Sequence, residues 1–162
     1  MHGKHHIVIE TGQLKYEFDI KRNITVIQGD SATGKTTLID LLSEYTHKGN
    51  NRGIRLISDV RCDVFSGAED RWEYELEGMK GEIVFFDEDY RFVYSKEFSE
   101  YVQKADNYFV FVTRKPLKNL PYSINEIYGI RTSGRYHFPE KIYHEFYPIY
   151  SIASEGSYSE DR

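Results

Sequence analysis

Nine residues near the start of the chain, GDSATGKTT at 29–37, have the types and spacing of a loop that holds phosphate. A glycine, four variable residues and then Gly34, Lys35 and Thr36 allow backbone N–H groups to turn inward around phosphate oxygens. Lys35 can reach the β- and γ-phosphates, and the Thr36 hydroxyl can ligate Mg²⁺. An ordinary glycine-rich turn is the alternative. The predicted nucleotide-binding residues are Gly29, Asp30, Ser31, Ala32, Thr33, Gly34, Lys35, Thr36 and Thr37.

A second group of reactive side chains follows an apolar run, in the sequence IVFFDE at 83–88. A carboxylate at the carboxyl end of a buried strand near a phosphate loop can hold Mg²⁺, directly or through water. We therefore expect Asp87 to be a metal ligand together with Thr36. Glu88 is the candidate that polarises an attacking water, whereas Asp89 is interpreted as a solvated neighbour.

The elements that must position these residues are predicted from periodicity. Residues 5–10 and 14–20 form a hairpin, 23–28 form a strand entering the loop, and 36–45 form an amphipathic helix. Further strands are expected at 54–58, 82–89 and 108–113, and a helix at 96–105. Residues 66–78 fit either a strand or a helix, and the crossover that a parallel sheet needs favours a helix. Beyond Arg114 we expect a loop, a hairpin around Ser133-Gly134 and a final strand in KIYHEFYPIYSIA.

These features resemble the P-loop NTPase superfamily, and most of all a minimal ABC-type or AAA-like ATP-binding domain. The hairpin before the loop, GDSATGKTTL and IVFFDE carry the resemblance. It implies an α/β three-layer fold, with a mainly parallel sheet, an N-terminal antiparallel hairpin and a small strand-rich C-terminal extension. It also implies that Lys35 and Thr36 bind phosphate and Mg²⁺, that Asp87 is the magnesium acid and that Glu88 is the catalytic base. Arg114, after the strand FVFVT, stands where such proteins place a γ-phosphate sensor; a simple strand end is the alternative.

Two of the chain's departures from that family bear most directly on turnover. The chain has no LSGGQ-like signature, and the interval from Lys35 to Asp87 is too short for the helical subdomain of transporter ATPases. The predicted function is therefore a Mg²⁺-dependent ATPase whose hydrolysis is slow alone and is completed by a partner or a second copy. A nucleotide-gated accessory module without catalysis and a small-molecule or nucleotide kinase are the alternatives.

Three further side chains near the expected site have open interpretations. Tyr16 is the nearest aromatic residue that could stack on adenine, although it alternates like a core strand residue. His144 lies among aromatic residues and is interpreted as a half-buried strand residue. Arg131 could clamp a γ-phosphate or simply lie on an exposed hairpin.

Composition limits the partners and the compartment. The net charge is −5 and no run of Lys or Arg stands out, so nucleic acid is not indicated. No apolar run reaches the ~18 residues of a membrane span, and the single cysteine, Cys62, fits a reducing cytoplasm. ATP is favoured over GTP because the guanine-reading N-K-x-D pattern is absent. We expect one domain over 1–152, with a variable extension at 115–152 and a flexible tail at 153–162. The expected partners, besides the nucleotide, are another protein or a second copy of the chain.

Overall fold

A computed structural model describes residues 2–29, 34–48, 53–87, 90–122, 126–133 and 141–150. Short 3-10 turns at Glu69–Arg71 and Phe92–Tyr94 precede two of the helices. The helices are α1 (Lys35–Lys48), α2 (Trp72–Glu77) and α3 (Lys96–Lys104). The strands are β1 (His5–Glu10), β2 (Leu14–Ile20), β3 (Ile24–Gln28), β4 (Arg55–Ile57), β5 (Cys62–Val64), β6 (Ile83–Phe86), β7 (Tyr108–Thr113), β8 (Ile127–Thr132) and β9 (Ile142–Pro148).

All nine strands join one mixed sheet in the order β4-β1-β2-β9-β8-β3-β7-β6-β5. The pairs from β5 through β6, β7 and β3 to β8 are parallel, and β2 is parallel to β9. The pairs β1–β4, β1–β2 and β8–β9 are antiparallel. Since β3, β6 and β7 are parallel, the residues that follow them lie together at the carboxyl ends of these strands.

The sheet is strongly curled into a half-barrel. Phe18 on β2 and Phe85 on β6 have ring centroids 6.3 Å apart, although five strand spacings separate these two strands in the sheet order. A flat sheet would put them about 24 Å apart, at roughly 4.8 Å per strand. The same closure brings the His5 ring on β1 to 5.5 Å from the Tyr108 ring on β7.

The predicted three-layer α/β fold is therefore wrong. In the described part of the chain only three short helices accompany nine strands, and α2 and α3 have 6 and 9 residues. Helices of this length cannot form layers over so wide a sheet. The sheet covers part of its own apolar face, because its bend brings Phe18 of β2 against Phe85 of β6.

The strands β8 and β9, which were expected to form a C-terminal extension, also lie in a different place from the one predicted. β8 pairs with β3, and β9 lies between β8 and β2. These two strands connect the hairpin of β1 and β2 to the parallel strands, so they are an internal part of the sheet and not an addition to its edge.

The two faces of the sheet bury separate apolar clusters. Along β6, Ile83 and Phe85 point to the cluster that contains Leu38 and Leu42 of α1, and Val84 and Phe86 point to the opposite cluster. This alternation is the normal period of a strand buried on both faces. No helix in the described residues is long and apolar enough to cross a membrane.

An acidic pair lies at the beginning of β6, away from the loop. Glu82 is buried beside Asp63 of β5, and Arg61 Nε lies 3.5 Å from Glu82 Oε2 and 3.4 Å from Asp63 Oδ2. Burial, reinforced by the charge of Asp63 and a hydrogen bond with it, raises the pKa of Glu82 from 4.5 to about 7. The folded protein therefore holds the Glu82 proton more tightly than the unfolded chain does.

The proton on Glu82 makes the free energy of unfolding depend on pH. The free energy of unfolding should fall as pH rises from about 4.5 to about 7, because only the unfolded state then releases the proton readily. Glu82→Gln should be more stable than the wild type at pH 8 and similar to it at pH 4, as measured by urea unfolding. The exposed Glu100→Gln serves as the control, and an unchanged pH profile in Glu82→Gln would refute the assignment.

Candidate functional site

The two described ends of the predicted phosphate loop lie at the junction of β3 and α1. Gly29 directly follows β3, and Gly34 directly precedes α1 with a φ of 99°. That φ favours glycine, because a Cβ in this region of backbone space meets steric strain. Asp30, Ser31, Ala32 and Thr33 lie outside the described residues, so their predicted role stays a prediction.

Lys35 begins α1 and carries a buried ammonium group. The residue is 2% exposed, and Nζ donates a hydrogen bond to the Gly29 carbonyl at the other end of the loop. The first turn of α1 contains no acidic residue, so no carboxylate of that turn competes for its positive end. A buried cation and a helix N-terminus thus lie together at the loop, an arrangement that favours an anion.

Tyr16 and His144 pack against the last glycine of the loop. The Tyr16 hydroxyl donates to the Gly34 carbonyl at 3.0 Å, and its ring stacks on His144 at 4.5 Å. A Cβ on Gly34 would lie 3.2 Å from the Tyr16 oxygen and 3.4 Å from the His144 ring. Burial raises the pKa of Tyr16 to about 12, partly offset by a hydrogen bond with Thr37, so the hydroxyl stays protonated as a donor. These contacts fix one side of the loop.

Removing this hydroxyl tests how far it supports the loop. Tyr16→Phe should lower the free energy of unfolding by about 1 kcal/mol, the usual net value of one such hydrogen bond. Urea unfolding measures the change, and the exposed Tyr74→Phe is the matched control. Equal stability of the two variants would show that the Tyr16–Gly34 bond does not stabilise this junction.

A cavity of about 650 Å³ opens beside the first turn of α1. Thr36 and Thr37 form its loop side, and β2, β8 and β9 supply the remaining walls. The full lining is Leu14, Tyr16, Gly34, Thr36, Thr37, Ile130, Arg131, Thr132, Ile142 and His144. Its volume lies within the range of small-molecule sites.

Asp87 and the loop both follow the carboxyl ends of parallel strands of the sheet. Asp87 directly follows β6 and is half-buried, and it lines a cavity of about 10 Å³ together with Thr113 at the end of β7. Gln28, which precedes Gly29, is in register with Thr113. Two strand spacings, about 10 Å, separate β3 from β6 across β7. Glu88 and Asp89 lie outside the described residues.

Arg114 and Arg131, the two arginines predicted as candidates to contact the γ-phosphate, have different surroundings. Arg114 is exposed at the carboxyl end of β7, next to Thr113. The Thr113 hydroxyl is engaged with the backbone of Lys115, at 3.0 Å to its carbonyl and 2.9 Å to its amide. Arg131 donates to Glu145 at 2.8 Å and lies over the Tyr147 ring at 4.7 Å. Arg131 therefore pairs with Glu145 at the cavity wall, although its side chain is exposed.

Two oxygen-bearing side chains, Thr36 and Asp87, are the predicted ligands for Mg²⁺ bound together with a phosphate. Among the described residues no group of three or more His, Cys, Asp or Glu side chains could hold a metal. Mg²⁺ commonly takes only one or two protein oxygens and fills its octahedron with water and phosphate oxygens. The exposed Thr36 hydroxyl and the half-buried Asp87 carboxylate are the predicted pair of oxygens, and they line different cavities.

Apart from Arg131, the sequence did not point to the residues that enclose the cavity from β8 and β9. His144 was correctly predicted as a half-buried strand residue, but its position against Gly34 depends on the pairing of β9 with β2. The prediction that Tyr16 alternates like a core residue is confirmed, since it is almost fully buried. No family model matches the chain, and no curated protein matches it.

Proposed function

We propose that this chain binds ATP with Mg²⁺ and hydrolyses the γ-phosphate, with a partner or a second copy completing turnover. The observation that carries the proposal is the buried Lys35 ammonium, held at the start of α1 next to the two glycine ends of the loop. We place this activity in the cytoplasm, where a single thiol such as Cys62 remains reduced.

We assign each predicted site residue one role in this reaction. Lys35 binds the β- and γ-phosphates and neutralises the charge that develops on them. Thr36 and Asp87 hold Mg²⁺, which screens phosphate charge when bound. Glu88 orients the attacking water and accepts its proton. Arg114 is a candidate cation for the γ-phosphate, and a subunit or partner supplies this charge if Arg114 does not reach it.

A phosphate-release assay tests the catalytic part of the proposal. With Mg²⁺ present, ATP should be hydrolysed slowly at low protein concentration, and the rate per chain should rise with protein concentration if a second copy assists. Chelation of Mg²⁺ should abolish release. ATP binding without release at any protein concentration would argue against self-assisted hydrolysis.

The position of β9 favours a second candidate, a nucleotide-gated accessory module. His144 and Ile142 of β9 share a cavity wall with Thr36 and Thr37, so a bound nucleotide would contact the C-terminal strand directly. A ligand that stabilises this strand could expose or order a surface for a protein partner. Molecular mass measured by light scattering with and without ATP and Mg²⁺ separates the candidates, because the module changes its assembly without releasing phosphate.

A further inference from the structure

The cavity beside α1 is continuous with the proposed phosphate site. Gly34, Thr36 and Thr37 belong to both, so a ligand whose phosphates lie in the loop has its remaining atoms next to this cavity. Leu14, Ile130 and Ile142 line it from three different strands. These side chains offer an apolar surface to whatever part of the ligand enters.

The charges around the cavity do not favour a second anion. Arg131 is the only cationic side chain among the described lining residues, and Glu145 already pairs with it at 2.8 Å. Burial lowers the pKa of His144, so its ring is neutral at neutral pH. None of the described residues pairs with its buried Nδ1. An uncharged and largely apolar group therefore suits this space better than additional phosphate.

We infer that this cavity binds the nucleoside part of a purine nucleoside triphosphate, and that the internal strands β8 and β9 supply most of its base contacts. The inference rests on the proposed function, which places the phosphates in the adjoining loop. The apolar side chains pack against the faces of the base, and the Thr132 hydroxyl and the Arg131 guanidinium lie at the polar rim. A purine buries more apolar area in this space than a pyrimidine does, so it binds more tightly.

The test compares ligands that share the phosphate chain. The full-length chain is titrated calorimetrically with ATP, CTP and inorganic tripolyphosphate, each with Mg²⁺. We expect ATP to bind at least about tenfold more tightly than tripolyphosphate, with CTP between them. Thr132→Trp fills the cavity from an exposed strand position, and it should bring ATP affinity close to that of tripolyphosphate while leaving tripolyphosphate binding unchanged.

A matched pair of variants isolates the apolar contact. Ile142 lines the cavity and Ile57 lies on the edge strand β4, yet both are 44% exposed. Ile142→Ser should weaken ATP binding about threefold, and Ile57→Ser should leave it unchanged.

The outcomes separate this inference from the proposed function. Equal affinities for ATP and tripolyphosphate, or for ATP and CTP, would overturn the inference and leave the phosphate site standing. An unchanged preference for ATP in Thr132→Trp would overturn it as well. Binding of none of the three ligands would refute the proposed function, and the inference with it.

Discussion

Lys35→Ala is expected to weaken ATP binding at least about 100-fold, which corresponds to roughly 2.7 kcal/mol. Hydrogen bonds to charged groups contribute about 1.5–3 kcal/mol each, and Lys35 is the buried cation at the loop. No other described cation lines the adjoining cavity except Arg131, which is paired with Glu145. Calorimetric titration with ATP and Mg²⁺ measures the loss.

Two controls assign the effect to the site. Lys80→Ala removes an exposed lysine that pairs with Glu77 at 3.1 Å, and its ATP affinity should equal that of the wild type. Thr36→Ala removes an exposed hydroxyl and should reduce mainly the Mg²⁺-dependent part of the affinity. Circular dichroism shows whether each variant is folded. A folded Lys35→Ala chain that binds ATP normally would exclude the loop as the phosphate site.

Glu88→Gln is expected to slow phosphate release at least about 100-fold while ATP affinity stays within about threefold. General-base catalysis by a positioned carboxylate commonly contributes 10² to 10⁴ in rate, and the amide cannot accept the proton of the attacking water. Single-turnover phosphate release, measured with saturating protein, separates this chemical step from binding.

The neighbouring acid provides the matched control for Glu88. Asp89→Asn changes the same charge one residue further along and should leave phosphate release nearly unchanged. If the Asp89 variant loses turnover and the Glu88 variant retains it, the assignment of the base is wrong.

The sequence predicted those elements whose signal is local. The alternation in LKYEFDI and the helical stripe after Lys35 correspond to β2 and α1, because the period of burial is recorded in neighbouring residues. The position of the glycine turn between β3 and α1 could be predicted for the same reason, since Gly34 and Lys35 are close in sequence. Its binding of phosphate stays a prediction. The three-residue strand β5 was missed because CDV is too short to show a period and has the charged Asp63 at its centre.

The closure of the sheet could not be predicted in this way. Parallel pairing of β2 with β9 joins Tyr16 to His144, far apart in sequence, and strand pairing leaves no periodic signal of its own in a single chain. The resemblance to a three-layer fold placed β8 and β9 outside the sheet, whereas their antiparallel pairing fills the interval between β2 and β3. The cavity wall was missed for this reason, although each of its strands was expected.

Calorimetric titration of the wild-type chain with ATP and Mg²⁺ decides whether this protein binds nucleotide. We predict saturable binding at one site per chain, lost on substitution of Lys35 and retained on substitution of Glu88. Absence of saturable binding by any nucleoside triphosphate at millimolar concentration, in a chain that is folded by circular dichroism, would contradict it.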